Sequence, residues 1–328
     1  MSAQGPAHVV APMSRVDRVT GRGLRERDRK LRAAEHRRPT RSEAEAYEAL
    51  VERLTKCHQV GFERFDWQQV EEMGPVVPNV ARDAVSAVAR QKLANYRPSI
   101  MDSLLGRERE KRRELTNKVV ESAKADAELY NRAKAEAAAH NKILALAADV
   151  RDLKPEAIAG VLKANGAAAV LKDVTEGFRL FGEGKSRLIG QIDLWEYDAL
   201  PEEAYSTTTV VTRTVLMEAE RCQMQLAHAC SVSLRAAVEV LQVAPLESVE
   251  IVARVYRPGG QQETDIDPVL YLNVSREALA KLQLRKLDAA PAAVALGMQV
   301  DWTPARGLYP IRIDDPGIAR LTAPKVAA

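Results

Sequence analysis

Residues 107–154 read RERE KRRELTNKVV ESAKADAELY NRAKAEAAAH NKILALAADV RDLK, without a single glycine or proline. Alanine and the straight-chain residues that fill the stretch are the best helix formers. Glu108 with Arg112, Glu114 with Lys118 and Glu128 with Arg132 set an acid four residues before a base, each pair worth about 0.2–0.5 kcal/mol on an exposed helix. From Arg107 to Val150 such a helix spans roughly 66 Å at about 1.5 Å per residue, twice the width of a small domain. The sequence therefore predicts an arm or spacer at about 107–154. Val119, Ala123, Asp126, Tyr130, Ala133, Ala137, His140, Leu144 and Ala147 follow a 3,4 spacing along it. Four of the nine are alanine and two are polar, so little apolar area is available to a two-stranded zipper. A coiled coil of closely packed alanine-rich helices and a solvated single arm both fit.

Outward from this segment, composition sets the frame. The 328 residues are 46% hydrophobic, with 48 Lys+Arg against 45 Asp+Glu, which is enough for two domains and gives no global drive toward polyanions. The excess charge is local: residues 14–41 hold eleven Lys/Arg against four acids. Residues 1–41 read as a disordered basic arm in which Arg25, Arg27, Arg29, Lys30, Arg32, Arg37 and Arg38 could contact nucleic-acid phosphates. That stretch offers bases no aromatic platform to stack on. Cys57, Cys222 and Cys230 form no CxxC pair, and nothing resembles a secretory leader or a spanning run of about twenty apolar residues. A reduced, cytoplasmic chain without membrane contact is the expectation.

Between these landmarks, capping and breaking residues divide the chain. Thr40 or Ser42 can cap a helix carrying Ala46, Leu50 and Leu54 that ends near Gly61. Asp66 can cap a short helix before Gly74-Pro75, a further helix fits Val80 to Tyr96, and Ser99–Leu105 makes a helical turn. Pro155 and Asn165-Gly166 bracket a short helix inside a linker at 155–184. Leu188, Gly190, Ile192 and Leu194 alternate as in a half-buried strand. Residues 217–241 return to helix, Val249–Tyr256 and Val269–Val274 read as strands joined through the Arg257–Gly260 loop, and Ser275 caps the next helix. Ala289–Leu296 suggests another helix and Tyr309–Ile313 a last strand. The expected fold is α+β and mostly helical, with a helical region at 42–154, a small α+β domain at 185–315 and a disordered tail at 316–328.

The run Asn95-Tyr96-Arg97-Pro98-Ser99-Ile100-Met101-Asp102-Ser103-Leu104-Leu105-Gly106-Arg107-Glu108 resembles a "YRPSFLDRLFGRE" pattern, and Phe65-Asp66-Trp67 upstream resembles a "VDW" element. Residues Ala229 to Val240 are similar to a "CSCALRVAREV" helix, and Asp267-Pro268-Val269-Leu270 to a "PILSV" strand. In this order, over about 40–315, the motifs resemble a family of uncharacterised bacterial proteins of unknown function. Many members begin with a small β-rich domain, where this chain has its basic arm. A "DPSDAMENF" element of that group is echoed only by Asp288-Ala289-Ala290-Pro291. The resemblance implies an architecture and a bacterial origin; it brings no catalytic residue.

Chemistry-bearing motifs are sparse. Cys222, His228 and Cys230 share a predicted helix, but about 600° of rotation from 222 to 228 puts those two on opposite faces, so no metal is expected. Cys57-His58 adds adjacent ligand types without a paired motif. No Gly-x-Ser-x-Gly elbow, P-loop or dinucleotide fingerprint occurs, and Gly182-Glu183-Gly184-Lys185-Ser186 reads as a turn. The sharpest enzymatic arrangement is Glu239 on a helix, a strand, the acids Glu263, Asp265 and Asp267, then a second strand. This follows the order of metal-dependent nuclease cores, with Glu239, Asp265 and Asp267 as carboxylates. The lysine that should follow is missing, its places taken by Tyr271, Asn273 and Ser275. The preferred reading is a non-enzymatic interaction or scaffold protein, without cofactor, that uses its long helix for self-association or partner contact. The alternative is a nucleic-acid-associated protein or a degenerate nuclease.

Overall fold

The computed structural model describes residues 39–99, 106–183, 186–207, 211–256, 266–315 and 317–318. The fold is α+β and mostly helical. It divides into two compact units, Asp66–Ala147 and a larger one made of the described residues up to Phe65 and from Ala148 onward. Arg25, Arg27, Arg29, Lys30, Arg32, Arg37 and Arg38 lie outside the described residues, as do Asp265, the 257–260 loop and most of the turn expected at 99–105.

Thr40 opens α1 (Arg41–Lys56) with a reciprocal capping box: its hydroxyl accepts from the Glu43 N–H, and the Glu43 carboxylate accepts from its own N–H. Ala44, Leu50 and Leu54 are its buried side chains. The sequence reading assigned this helix to a region spanning 42–154; it belongs instead to the larger unit. Spacing shows a buried face but not which partner covers it.

In the unit Asp66–Ala147, Asp66 caps α2 (Trp67–Met73) by accepting from the Gln69 N–H at 2.9 Å. An irregular stretch leads to α3 (Ala84–Ala94), shorter than the Val80–Tyr96 read from the sequence. The long helix α4 is continuous over Glu108–Arg151, slightly inside the expected bounds. Its end has an identifiable cause. Leu153 adopts a left-handed φ of 56°, while Lys154 N–H reaches Asp149 O and Leu153 N–H reaches Val150 O, the paired bonds of a Schellman motif. Pro155 then starts α5 (Pro155–Ala164) at a position that needs no N–H.

The remainder of the larger unit begins with α5, α6 (Ala167–Val174) and β1 (Gly177–Glu183). The segment read as a linker with one short helix is therefore two helices and a strand. β2 (Arg187–Asp193) pairs antiparallel with β1, so Gly182 and Glu183, read from the sequence as part of a turn, are paired strand residues. β3 (Glu203–Thr207) and β4 (Val211–Val215) make a separate two-stranded ribbon. α7 (Glu218–Val243) follows, then β5 (Ser248–Tyr256), β6 (Ile266–Ser275), α8 (Arg276–Lys281), α9 (Ala289–Ala295), β7 (Gln299–Thr303) and β8 (Gly307–Tyr309). The last strand thus lies earlier than the Tyr309–Ile313 expected.

Strand order is β1-β2-β5-β6-β7-β8, with only β2 and β5 parallel. That crossover needs a long connection, and α7 supplies it. Leu188, Ile192, Ile251, Ala253, Leu270, Leu272 and Val274 bury one sheet face, the one against which α7 packs. A Cβ at Gly190 would stand 2.7 Å from Ile251 Cδ1, so any larger residue there makes that side chain move. From His228 to Leu241 only Arg235 among α7's side chains is not fully buried, because β5, α1 and α9 pack around the helix. Its length and apolar content would suffice to cross a bilayer, but its apolar window is mostly buried inside the fold, as in a core helix.

Candidate functional site

On α7, Ser231 sits at the centre of a buried polar cluster. Its Oγ lies 3.0 Å from His58 Nδ1, accepts from the His58 backbone N–H at 3.3 Å and stands 3.2 Å from Cys57 Sγ. His58 Nε2 donates to the Leu287 carbonyl at 3.0 Å, which fixes Nδ1 as the acceptor of the serine hydroxyl. A serine beside a histidine suggests a nucleophile, but Ser231 and His58 have no exposed surface. Arg235 continues the same face, donating to the Cys57 carbonyl at 3.1 Å, and Gln242 donates to the Gly61 carbonyl at 2.8 Å. The arrangement clasps the chain after α1 onto α7 and leaves substrate no access.

Glu239 belongs to this face as well. Its buried carboxylate pairs with Arg235 at 2.5 Å, and burial raises its pKa against the opposing pull of that guanidinium. Asp267 lies within β6, opposite Val255, where the sequence reading placed it in the hairpin loop before a strand at 269. Tyr271, standing where a nuclease lysine would be expected, donates its hydroxyl to Glu250 at 3.0 Å. Glu239 is thus engaged inside the protein by a cation four residues away. Cys222, His228 and Cys230 have separate neighbours: the Cys222 carbonyl accepts from Trp302 Nε1, His228 Nε2 donates to the Val174 carbonyl, and Cys230 Sγ meets Met298 Sδ. Among the described residues no three His, Cys, Asp or Glu side chains gather as a metal would require.

The other sheet face carries charges that the sequence reading passed over. Arg187 forks onto Glu250 at 2.6 and 2.9 Å, reaches Asp315 at 2.7 Å and meets Glu183 at 2.7 Å. This holds Asp315 below the usual carboxylate range and raises the Arg187 pKa further. Arg254 and Asp193, both buried, pair at 2.6 Å, and Arg179 adds a second cation to Asp193 at 3.2 Å. Between the two clusters Ile189 and Val252 pack with Ile318, Phe181, Tyr271 and Ile313. The register of β2 with β5 brings Arg187, Asp193, Glu250 and Arg254 to one face. Strand alternation could have flagged that face, had the pairing been known.

In the unit Asp66–Ala147 the polar members of the 3,4 stripe are the informative ones. Asp126 accepts from the backbone N–H groups of Val85 at 3.0 Å and Ser86 at 2.8 Å. It thereby caps α3, whose own Asp83 makes no side-chain cap bond. Ser86 and Val85 hold the Asp126 carboxyl below its ordinary range. Arg82 lies over the Tyr130 ring at 4.6 Å and donates to its hydroxyl. His140 bonds the Gly74 carbonyl, and Asn141 exchanges two bonds with the Val76 backbone. From Asp126 to His140 the stripe that could have formed a zipper seam therefore receives the chain's own residues 74–86.

This unit has little interior of its own: among its described residues only Ser86, Asp126, Ala137, Ile143 and Ala147 are buried. It exposes Met73, Val77, Val80, Val85, Val88, Val120 and Leu129, whereas the larger unit exposes only Val215, Met217 and Val294 among its large apolar side chains described. Compared with known protein families, curated proteins and solved structures, the chain matches none.

Proposed function

We propose that the chain is a non-enzymatic interaction protein whose unit Asp66–Ala147 supplies the contact surface. The observation that carries this reading is the concentration of exposed large apolar side chains there, seven of the ten found among the described residues. Single exposed apolar residues are ordinary, but a cluster on a unit with so thin an interior fits a surface that a partner covers. The long helix serves as a backing for residues 74–86, holding them through Asp126, Tyr130, His140 and Asn141. Contact then occurs through the segment laid on the helix, with the 3,4 stripe already engaged.

A photoreactive amino acid at Val85 tests this in the full-length chain, with Val294 as a control exposed at least as much. Irradiation in cells is expected to give discrete adducts of defined mass from position 85 and not from 294. Absence of adducts at 85, or equal labelling at both positions, refutes the assignment.

A further inference from the structure

The segment that offers this surface is divided by charge. Residues 66–81 carry Asp66, Glu71 and Glu72 with no Lys or Arg, a formal −3; residues 82–97 carry Arg82, Arg90, Lys92 and Arg97 against Asp83 alone, a formal +3. Exposed apolar side chains lie in both halves: Met73, Val77 and Val80 in the acidic half, Val85 and Val88 in the basic half. The contacts to α4 run from Asn141, at Val76, back to Asp126, at Ser86. That lays the middle of the segment along roughly 22 Å of helix at about 1.5 Å per residue.

From this we infer that the contact partner is a second copy of the chain, the two segments lying antiparallel about a two-fold axis near their middle. The inference rests on the reading of this unit as a contact surface. In an isologous pair each patch must complement itself. An antiparallel arrangement sets the −3 half of each copy against the +3 half of the other, with the valines nearest the axis forming the apolar centre. A parallel pairing puts like charges opposite and is disfavoured. A polyanion would meet the acidic half, and a lipid surface would find four valines and Met73 where deep insertion calls for Trp, Phe or Leu.

Sedimentation of the purified full-length chain over a range of concentrations tests the pairing. The mass is expected to rise from 36.1 kDa toward twice that value, with the dissociation constant weakened about tenfold in high salt. Glu71→Lys with Glu72→Lys, and separately Arg90→Glu with Lys92→Glu, should each leave the chain monomeric. An equimolar mixture of the two variants should restore the dimer, because opposite charges then face each other in both halves. Helix content by circular dichroism checks that the variants remain folded. A wild-type chain that stays at 36.1 kDa, variants that dimerise unchanged, or a mixture that stays monomeric overturns the pairing. Adducts at Val85 with a different protein, from a chain that is itself monomeric, reject the second copy while leaving the contact surface standing; no adducts at all reject both.

Discussion

Replacing His228 should remove a defined part of the protein's acid sensitivity. The imidazole has no exposed surface, its Nε2 donates to the Val174 carbonyl at 2.7 Å, and its Nδ1 meets no hydrogen-bonding partner. A second ring proton would have no acceptor, and the surroundings, including the Trp195 ring at 5.9 Å, cannot solvate the charge. Burial therefore pushes the pKa down from 6.5 to about 4. In the unfolded chain the same group titrates near its ordinary value of about 6.5. As pH falls below that value the unfolded state takes up the proton first. The stabilisation is therefore complete above about 6.5 and is lost as pH falls toward the folded value. At about 1.4 kcal/mol per pH unit, the difference amounts to about 3 kcal/mol between pH 7 and pH 4. Urea unfolding at both pH values, followed by tryptophan fluorescence, measures it in wild type and His228→Gln. Carboxylates and His58, which burial shifts in the same direction, are present in both proteins and cancel in the comparison. The wild type should lose about 3 kcal/mol more than the variant; parallel losses would refute the assignment of a buried neutral imidazole.

Four further outcomes follow from the geometry. Asp126→Ala removes the cap on α3, so the Val85 and Ser86 amides should exchange faster by hydrogen–deuterium measurement. Acid should do the same to the wild type, because a carboxylate held below its usual range stabilises above that range and loses the effect on protonation. Gly190→Ala forces a methyl against Ile251 Cδ1 and should cost about 1–3 kcal/mol in urea unfolding; adding Ile251→Val should recover part of the loss, and strict additivity would count against the clash. Arg187→Met strands the largely buried Glu250 carboxylate and should destabilise the larger unit by about 2 kcal/mol, with faster proteolysis at residues 311–318. With the Cys230 thiol pushed up to about 12 by burial and Cys222 also buried, peptide mapping after alkylation should find label first on the half-buried Cys57, and slowly, because burial raises that thiol as well; the other two should label only when the chain unfolds.

The elements that were legible in the sequence are those fixed by local chemistry. The long helix follows from the absence of glycine and proline, Asp66 and Ser275 cap the helices expected of them, and Pro155 with Gly166 bounds α5. The strands that escaped notice, β1, β3, β4 and β7, are short and carry half-exposed residues, so their alternation is weak and their pairing supplies the missing information. Contacts between distant segments were illegible for the same reason. His58 and Ser231 stand 173 residues apart, and no spacing rule links them. In the long helix Asp126 and His140 are polar members of the 3,4 stripe. They are the positions that hold residues 74–86, which offer backbone N–H and C=O groups there that a polar side chain satisfies and alanine would leave unpaired.

The same asymmetry bears on how strongly two copies could hold each other. Met73, Val77, Val80, Val85 and Val88 are roughly half exposed on average, and full burial of such a side chain is worth about 1.5–3 kcal/mol, so covering the remainder gives about 1 kcal/mol each. Five from each copy contribute about 10 kcal/mol, against a loss of rigid-body freedom on the order of 4–15 kcal/mol. Apolar burial alone therefore comes close to break-even. The balance falls to the charged halves, whose exposed pairs are worth only about 0.2–1 kcal/mol each and are screened by salt. Association of this kind is weak and reversible, and it depends on concentration and ionic strength together. An obligate dimer would instead be salt-insensitive, since a large apolar interface holds without charge. Salt dependence of the mass thus discriminates between the two modes of assembly as directly as the charge-reversal pair does.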